Sequence, residues 1–151
     1  QWTILSIPLA SHGKWDGKEP FKLDNYETNY TGPVAVLTRA TIRLNKLPQF
    51  WANVEPVAEI MTKAKGFITS VGIGEAPFFR QATLSVWKDM ESMKAFAYGS
   101  AEHAEVIRKT RKLDWYSEEL FARFRLLSGS GTNKGIDPIN EIQQDLLKAK
   151  Q

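Results

Sequence analysis

Apolar and polar positions alternate or recur with changing period along the chain, and the period marks the elements. Residues 2–9 (Trp-Thr-Ile-Leu-Ser-Ile-Pro-Leu) read as a strand that Pro8 confines to a sheet edge or to its own end. From Ser11 to Gly32 the run is rich in Gly, Asn, Lys and aromatics without a sustained period, which predicts a long ordered loop. Val34 to Arg43 is β-branched and extended, hence a strand. Asn45 and Pro48 signal a helix start, and Leu47, Phe50, Trp51, Val54, Ala58, Met61 and Ala64 keep a helical stripe towards Gly66. Pro56 interrupts that stripe, so a kink or break is expected there.

Phe67 to Val71 reads as a short strand, Gly72 to Pro77 as a turn-rich connection, and Arg80 to Trp87 as another strand. Asp89 can cap a helix carrying Met90, Met93, Phe96 and Ala97. Gly99-Ser100 interrupts it, and Ser100 can cap a second segment to about Leu113. Leu120, Ala122, Phe124 and Leu126 alternate with Phe121, Arg123 and Arg125, the period of a half-buried strand. Asp137-Pro138 then opens a last amphipathic helix with Ile139, Ile142, Leu146 and Leu147. Residues 34–128 therefore follow the order βαββαβ, which predicts an α+β domain of ferredoxin-like type, an antiparallel sheet with helices on one face.

Composition narrows the chemistry. With no Cys among 151 residues, a disulfide scaffold, an iron–sulfur centre, a thiolate-ligated haem and a cysteine nucleophile are excluded. His12 and His103 are the only imidazoles, too few for a multi-histidine metal site within one chain. Twenty Lys+Arg against 17 Asp+Glu give a mild positive charge without a basic block, so no nucleic-acid partner is expected. No apolar run approaches the length of a membrane span.

One internal echo stands out. Residues 13–21, Gly-Lys-Trp-Asp-Gly-Lys-Glu-Pro-Phe, align with 131–139, Gly-Thr-Asn-Lys-Gly-Ile-Asp-Pro-Ile, at a constant offset of 118 (131 minus 13). The second copy follows the last strand of the βαββαβ unit, and the first follows the strand 2–9. The expected organisation is therefore residues 1–12 as the last strand of a preceding ferredoxin-like half, the rest of which is absent here. Residues 13–33 follow as a connecting loop, 34–128 as the complete domain, and 129–151 as a loop and C-terminal amphipathic helix. Coincidence of Gly/Pro loop chemistry is the alternative explanation of the echo.

Gly74-Glu-Ala-Pro-Phe-Phe-Arg-Gln-Ala-Thr-Leu-Ser-Val-Trp87 resembles the loop and third strand of the spheroidene monooxygenase (carotenoid ketolase) family. Ala95 to Gly99, His103 to Arg111 and Trp115 to Arg125 continue the resemblance, and Val36 to Arg43 with Phe50-Trp51 are similar to its first strand and helix. The resemblance implies a dimeric α+β barrel architecture built from two ferredoxin-like halves. It implies a haem-dependent oxygenase acting on a carotenoid or similar apolar substrate, with haem b as cofactor. Dioxygen and an electron donor would be its partners, in a cytoplasmic protein able to associate with a membrane surface. The barrel would be completed by a homo-oligomer or by tandem halves.

Within that frame, His103 is the candidate axial ligand, although spacing alone favours a surface helix histidine flanked by Glu102 and Glu105. Arg39, Arg80, Arg123 and Arg125 fall on strands that become neighbours in this fold. They are candidates for a propionate clamp, because guanidinium grips carboxylate in a fork. Salt bridges to Glu75, Glu118 or Glu119 are the alternative. Phe78, Phe79, Trp87 and Tyr98 are the candidate lining of an apolar substrate pocket, with Phe78-Phe79 as its entrance. Two other classes stay open: a haem- or small-ligand-binding protein without turnover, and a cofactor-independent monooxygenase of the same fold.

Overall fold

The computed structural model describes residues 1–23, 27, 29–76, 78–99, 114–133, 135, 137–140 and 142. Five strands, β1 (Trp2–Gly13), β2 (Val34–Ile42), β3 (Phe67–Ala76), β4 (Arg80–Trp87) and β5 (Tyr116–Gly131), form one sheet. Its order is β1-β5-β2-β4-β3, and every neighbouring pair is antiparallel. Helices α1 (Leu47–Lys63) and α2 (Met90–Gly99) join β2 to β3 and follow β4. The last four strands have the ferredoxin-like order, and β1 is added outside β5.

Two apolar clusters hold the layers together, one on each face of the sheet. On the helix side, Leu9, Val34, Val36, Trp87, Met90 and Met93 are buried, with Met61 and Ala64 of α1 and Phe96 of α2 packed on them. On the other face, Ala35, Leu37, Ala82, Val86, Leu120, Ala122 and Phe124 lie beneath Trp15, Phe21, Ile139 and Ile142. Because both faces of β2 are covered, its first four residues are all buried rather than alternating. β5 keeps the predicted alternation: Leu120, Ala122 and Phe124 are buried, while Phe121 and Arg123 are half-buried and Arg125 is exposed.

Local signals at the helix ends behave as their chemistry dictates. Asp89 caps α2, its Oδ1 accepting the Ser92 N–H at 2.7 Å. Asp137 Oδ1 accepts the Ile139 and Asn140 N–H groups at 3.2 and 3.1 Å, and residues 138–140 are helical. The segment expected from Ser100 to Leu113 lies outside the described residues.

Three expectations need correction. Of the kink or break expected at Pro56, the break does not occur: α1 runs unbroken through it. Pro56 and Ala52, whose carbonyl loses its partner to the proline, are both exposed, so water satisfies the freed group. The strand expected to stop at Val71 continues to Ala76, because Gly72, Ile73 and Gly74 pair with Thr83, Ala82 and Gln81 of β4. Ladder hydrogen bonds on an edge strand outweigh the local turn preference of two glycines. Finally, β1 extends past Pro8 to Gly13. Pro8 is tolerated because β1 pairs on one side only and its ladder is irregular next to the proline.

Candidate functional site

The four predicted arginines do lie on adjacent strands, but the pleat divides them between opposite faces. Arg39 pairs with Ala82 and Leu120 and, with Arg80, faces the layer of Trp15 and Phe21. Arg123 and Arg125 pair with Val36 and Val34 and face the helices. A single four-arginine clamp therefore does not form, since residues of odd separation on a strand point to opposite sides.

Arg39 is 1% exposed and held among three carboxylates. Its Nη1 bonds Glu118 Oε1, and its Nε and Nη2 hold Glu75 at 3.3 and 3.1 Å. Nη2 also reaches Asp16 Oδ1 at 3.3 Å, and the guanidinium lies over the Trp15 ring at 5.2 Å. Glu118 in turn accepts the N–H groups of Asp16 and Gly17 at 2.9 and 2.8 Å. Arg39 thus ties the loop after β1 to β3 and β5, and four of its five N–H donors are spent on carboxylates. For this residue the salt-bridge alternative is the observed one, which removes it from a propionate clamp. Arg80 Nη1 joins the same cluster through Asp16 at 3.4 Å. Its Nε is buried without a partner, and its guanidinium stands 6.0 Å from the Phe79 ring centre.

The loop N–H groups of Gly17 and Asp16, with the Arg39 guanidinium, hold the Glu118 carboxyl below its ordinary value of 4.5 against the opposing effect of burial. A carboxylate with a lowered folded pKa stabilises the fold above its unfolded pKa, and that contribution is lost as pH falls through the folded value. Urea unfolding of Glu118→Gln beside the unaltered protein should show the widest gap near neutral pH. The gap should close as the pH drops below the ordinary carboxylate range; a gap of constant size from neutral to acid pH would contradict this assignment.

On the helix side, Arg123 differs from its neighbours. Its Nε is buried and without a partner, and among the described residues Nη1 contacts the thioether of Met90 at 3.7 Å. The guanidinium stands 6.0 Å from the Phe121 ring, on which His12 stacks at 5.3 Å. Arg125 is engaged by Glu27 at 3.3 Å and lies over Tyr30 at 5.3 Å. His103 lies outside the described residues. Tyr116, a conceivable oxygen donor, has its hydroxyl pushed up to about 12 by burial and by Glu119, which disfavours a phenolate. Among the described residues no cluster of His, Asp and Glu is arranged to hold a metal ion.

The expected aromatic pocket is not assembled as one unit. Trp87, 1% exposed, is core: its ring packs on Phe67 and Phe96 and its Nε1–H donates to Ser85 Oγ at 3.0 Å. Phe78 and Phe79 sit at the opposite end of β4, and Tyr98 is exposed on α2. Periodicity could not separate these aromatics, because it does not tell which of them another element covers. Phe78 is 68% exposed with a left-handed φ of 71°, and its carbonyl accepts the Trp51 Nε1–H at 3.2 Å. That conformation is costly for a bulky residue and turns the ring outward, beside the exposed Trp51. Trp15 and Asp16 escaped the sequence reading. They lie in a loop without period, and the glycine echo at Gly13 and Gly17 was the available signal.

Residues 34–126 match the family described as "Domain of unknown function (DUF3291)". The spheroidene monooxygenase of Cereibacter sphaeroides is 40% identical over 141 residues, covering 93% of this chain and 43% of that protein. The enzyme of the same name from Rhodobacter capsulatus is 41% identical over 133 residues, covering 87% of this chain and 55% of that protein. The chain thus spans about half the length of the curated relatives it matches. Among solved structures, Rv0793 from Mycobacterium tuberculosis superposes with a TM-score of 0.57 at 12% identity, covering 64% of this chain and 96% of that one. A conserved protein from Methanosarcina mazei gives 0.54 at 18% identity, covering 62% and 92%. These likenesses establish the α+β fold.

Proposed function

Since the chain belongs to the DUF3291 family, with spheroidene monooxygenases among its relatives, we propose that it is part of a haem-dependent monooxygenase acting on a carotenoid or similar apolar substrate. The observation that carries this reading is identity of about 40% to enzymes of that name over nearly the whole chain. Fold likeness alone would not carry it, because one fold hosts many activities.

The residues present fit a haem in one respect that the structure makes specific. A propionate needs a cation with free donors, and Arg123 has a buried Nε without a partner beside an aromatic wall. Arg123 would hold the propionate, while Arg39 is excluded by its carboxylates and Arg125 is shared with Glu27. His103 would be the donor to the haem iron. The bound iron would supply dioxygen activation with electrons from an external donor. Phe78 and Trp51 offer exposed apolar surface where a polyene could first make contact. No helix among the described residues is long and apolar enough to cross a membrane.

Titrating the purified protein with haem and recording its absorption spectrum tests the assignment. A Soret band is expected that shifts in His103→Ala, together with weaker haem affinity in Arg123→Gln. A band indifferent to both substitutions would remove these residues from the site. Absence of any band, with oxygen consumed by metal-free protein and carotenoid, would favour the cofactor-independent class.

A further inference from the structure

The echo seen in the sequence reappears as a local two-fold axis in the β1–β5 ladder. Adding 118 to the residue of β1 and subtracting it from that of β5 converts each rung into another rung. Trp2↔Gly131 becomes Gly13↔Leu120, Leu5↔Ser128 becomes Ala10↔Arg123, and Ser6↔Leu126 becomes Pro8↔Phe124. Ile7↔Arg125 maps onto itself, so the axis passes through that pair. The two register shifts also correspond, since the residues they leave unpaired are Leu9 and Leu127. The flanks obey the same rule: Lys14 N–H donates to Glu119 O at 2.8 Å, and Thr132 N–H to Gln1 O at 3.1 Å. Gly13 and Gly131 both have left-handed φ, and a Cβ on either would lie within 2.1 and 2.0 Å of those two carbonyl oxygens.

The symmetry is complete in the ladder but not in what surrounds it. Leu9 is 4% exposed beneath Met90, Met93, Val34 and Val36, whereas its equivalent Leu127 is 42% exposed. β5 has a strand on each side, whereas β1 has none on its outer edge among the described residues. Leu5 and Ile7, also exposed, lie on the same uncovered region. A long edge strand with exposed Leu and Ile is normally paired or covered.

We propose that β1 is the fourth strand of a second ferredoxin-like unit preceding residue 1, whose first strand pairs with the outer edge of β1 and whose helical layer covers Leu127. The proline supports this register. On β5 the ladder to β2 ends at Arg125, which corresponds to Ile7. Pro8, which has no N–H to give, is therefore the first position beyond the last rung of the proposed pairing. The length of the curated relatives, about twice the matched span, leaves room for such a unit. Neither haem nor the reaction bears on this strand pairing.

The absence of native cysteine makes the test direct. Leu127→Cys reports the surface, and Lys94→Cys, on the exposed side of α2, serves as reference. In the 151-residue chain both thiols should react with a maleimide at similar rates. In the protein extended by its own upstream coding sequence, the thiol at position 127 should slow by about tenfold or more, since it must await opening, while that at position 94 is unchanged. Equal rates at position 127 in the two proteins would overturn the proposal, as would an upstream reading frame without a βαββα pattern. Concentration-dependent protection in the 151-residue chain, with a dimeric mass, would overturn it by assigning the surface to a second copy.

Discussion

Arg39→Met is expected to lower stability by about 3 kcal/mol, at the lower end of the range for breaking a buried ion pair, because Glu75 and Glu118 keep some access to water. The cost comes less from the lost attraction than from the carboxylates left behind. Glu75 and Glu118 face each other across the place of a guanidinium whose side chain is wholly buried. Asp16 loses one of its three ties to the sheet at the same time, keeping those to Arg80 and Glu118. At about 2–4 °C per kcal/mol for a chain of this size, the melting temperature should fall by about 6–12 °C. Arg39→Lys should fall between, since an ammonium cannot grip Glu75 through two donors and reach Glu118 and Asp16 as well. Thermal melts followed by circular dichroism provide the measurement. A midpoint in Arg39→Met within about 2 °C of the parent would show that water, not Arg39, balances these carboxylates.

The second large effect falls on Trp87, where Trp87→Ala should cost about 3–5 kcal/mol. The ring is buried between Phe67 and Phe96, with centroids 5.5 and 5.1 Å away, and its removal leaves a cavity that rigid strands on either side cannot close. It also frees the Ser85 hydroxyl of its buried donor. Phe78→Ala, by contrast, removes a ring that is mostly in water and should change stability by about 0.5 kcal/mol or less. Urea unfolding of the two variants distinguishes a core tryptophan from a pocket-lining one. Similar small losses in both would restore Trp87 to the candidate pocket.

Much of the fold was legible from period and punctuation alone. Alternation in Leu120 to Leu126 marked β5, and Asp89 marked the start of α2, because a strand's pleat and a helix cap act over a few residues. The end of β3 was not legible. Gly72 and Gly74 favour a turn locally, and only the neighbouring β4 gives their backbone groups partners that settle the matter. The candidate site divides in the same way. Sequence marked Arg39 and Arg123 equally as strand arginines. Burial with three carboxylates for one, and a lone thioether contact for the other, separated their roles.

The repeat at Gly13 and Gly131 belongs to both levels. Its spacing could be read from the residues in order; that both glycines hold left-handed backbone against a neighbouring strand is a fact of the tertiary structure. That the two copies face each other across a two-fold axis could not, because strand pairing joins residues more than a hundred positions apart. By itself the sequence determined the elements, the family resemblance and the chemistry that absent cysteines exclude. Tertiary structure decided which side of the sheet each arginine faces, which aromatics are core, and that Leu9 is covered while Leu127 is not. Those outcomes depend on register and on what lies above a residue, and no local pattern encodes either.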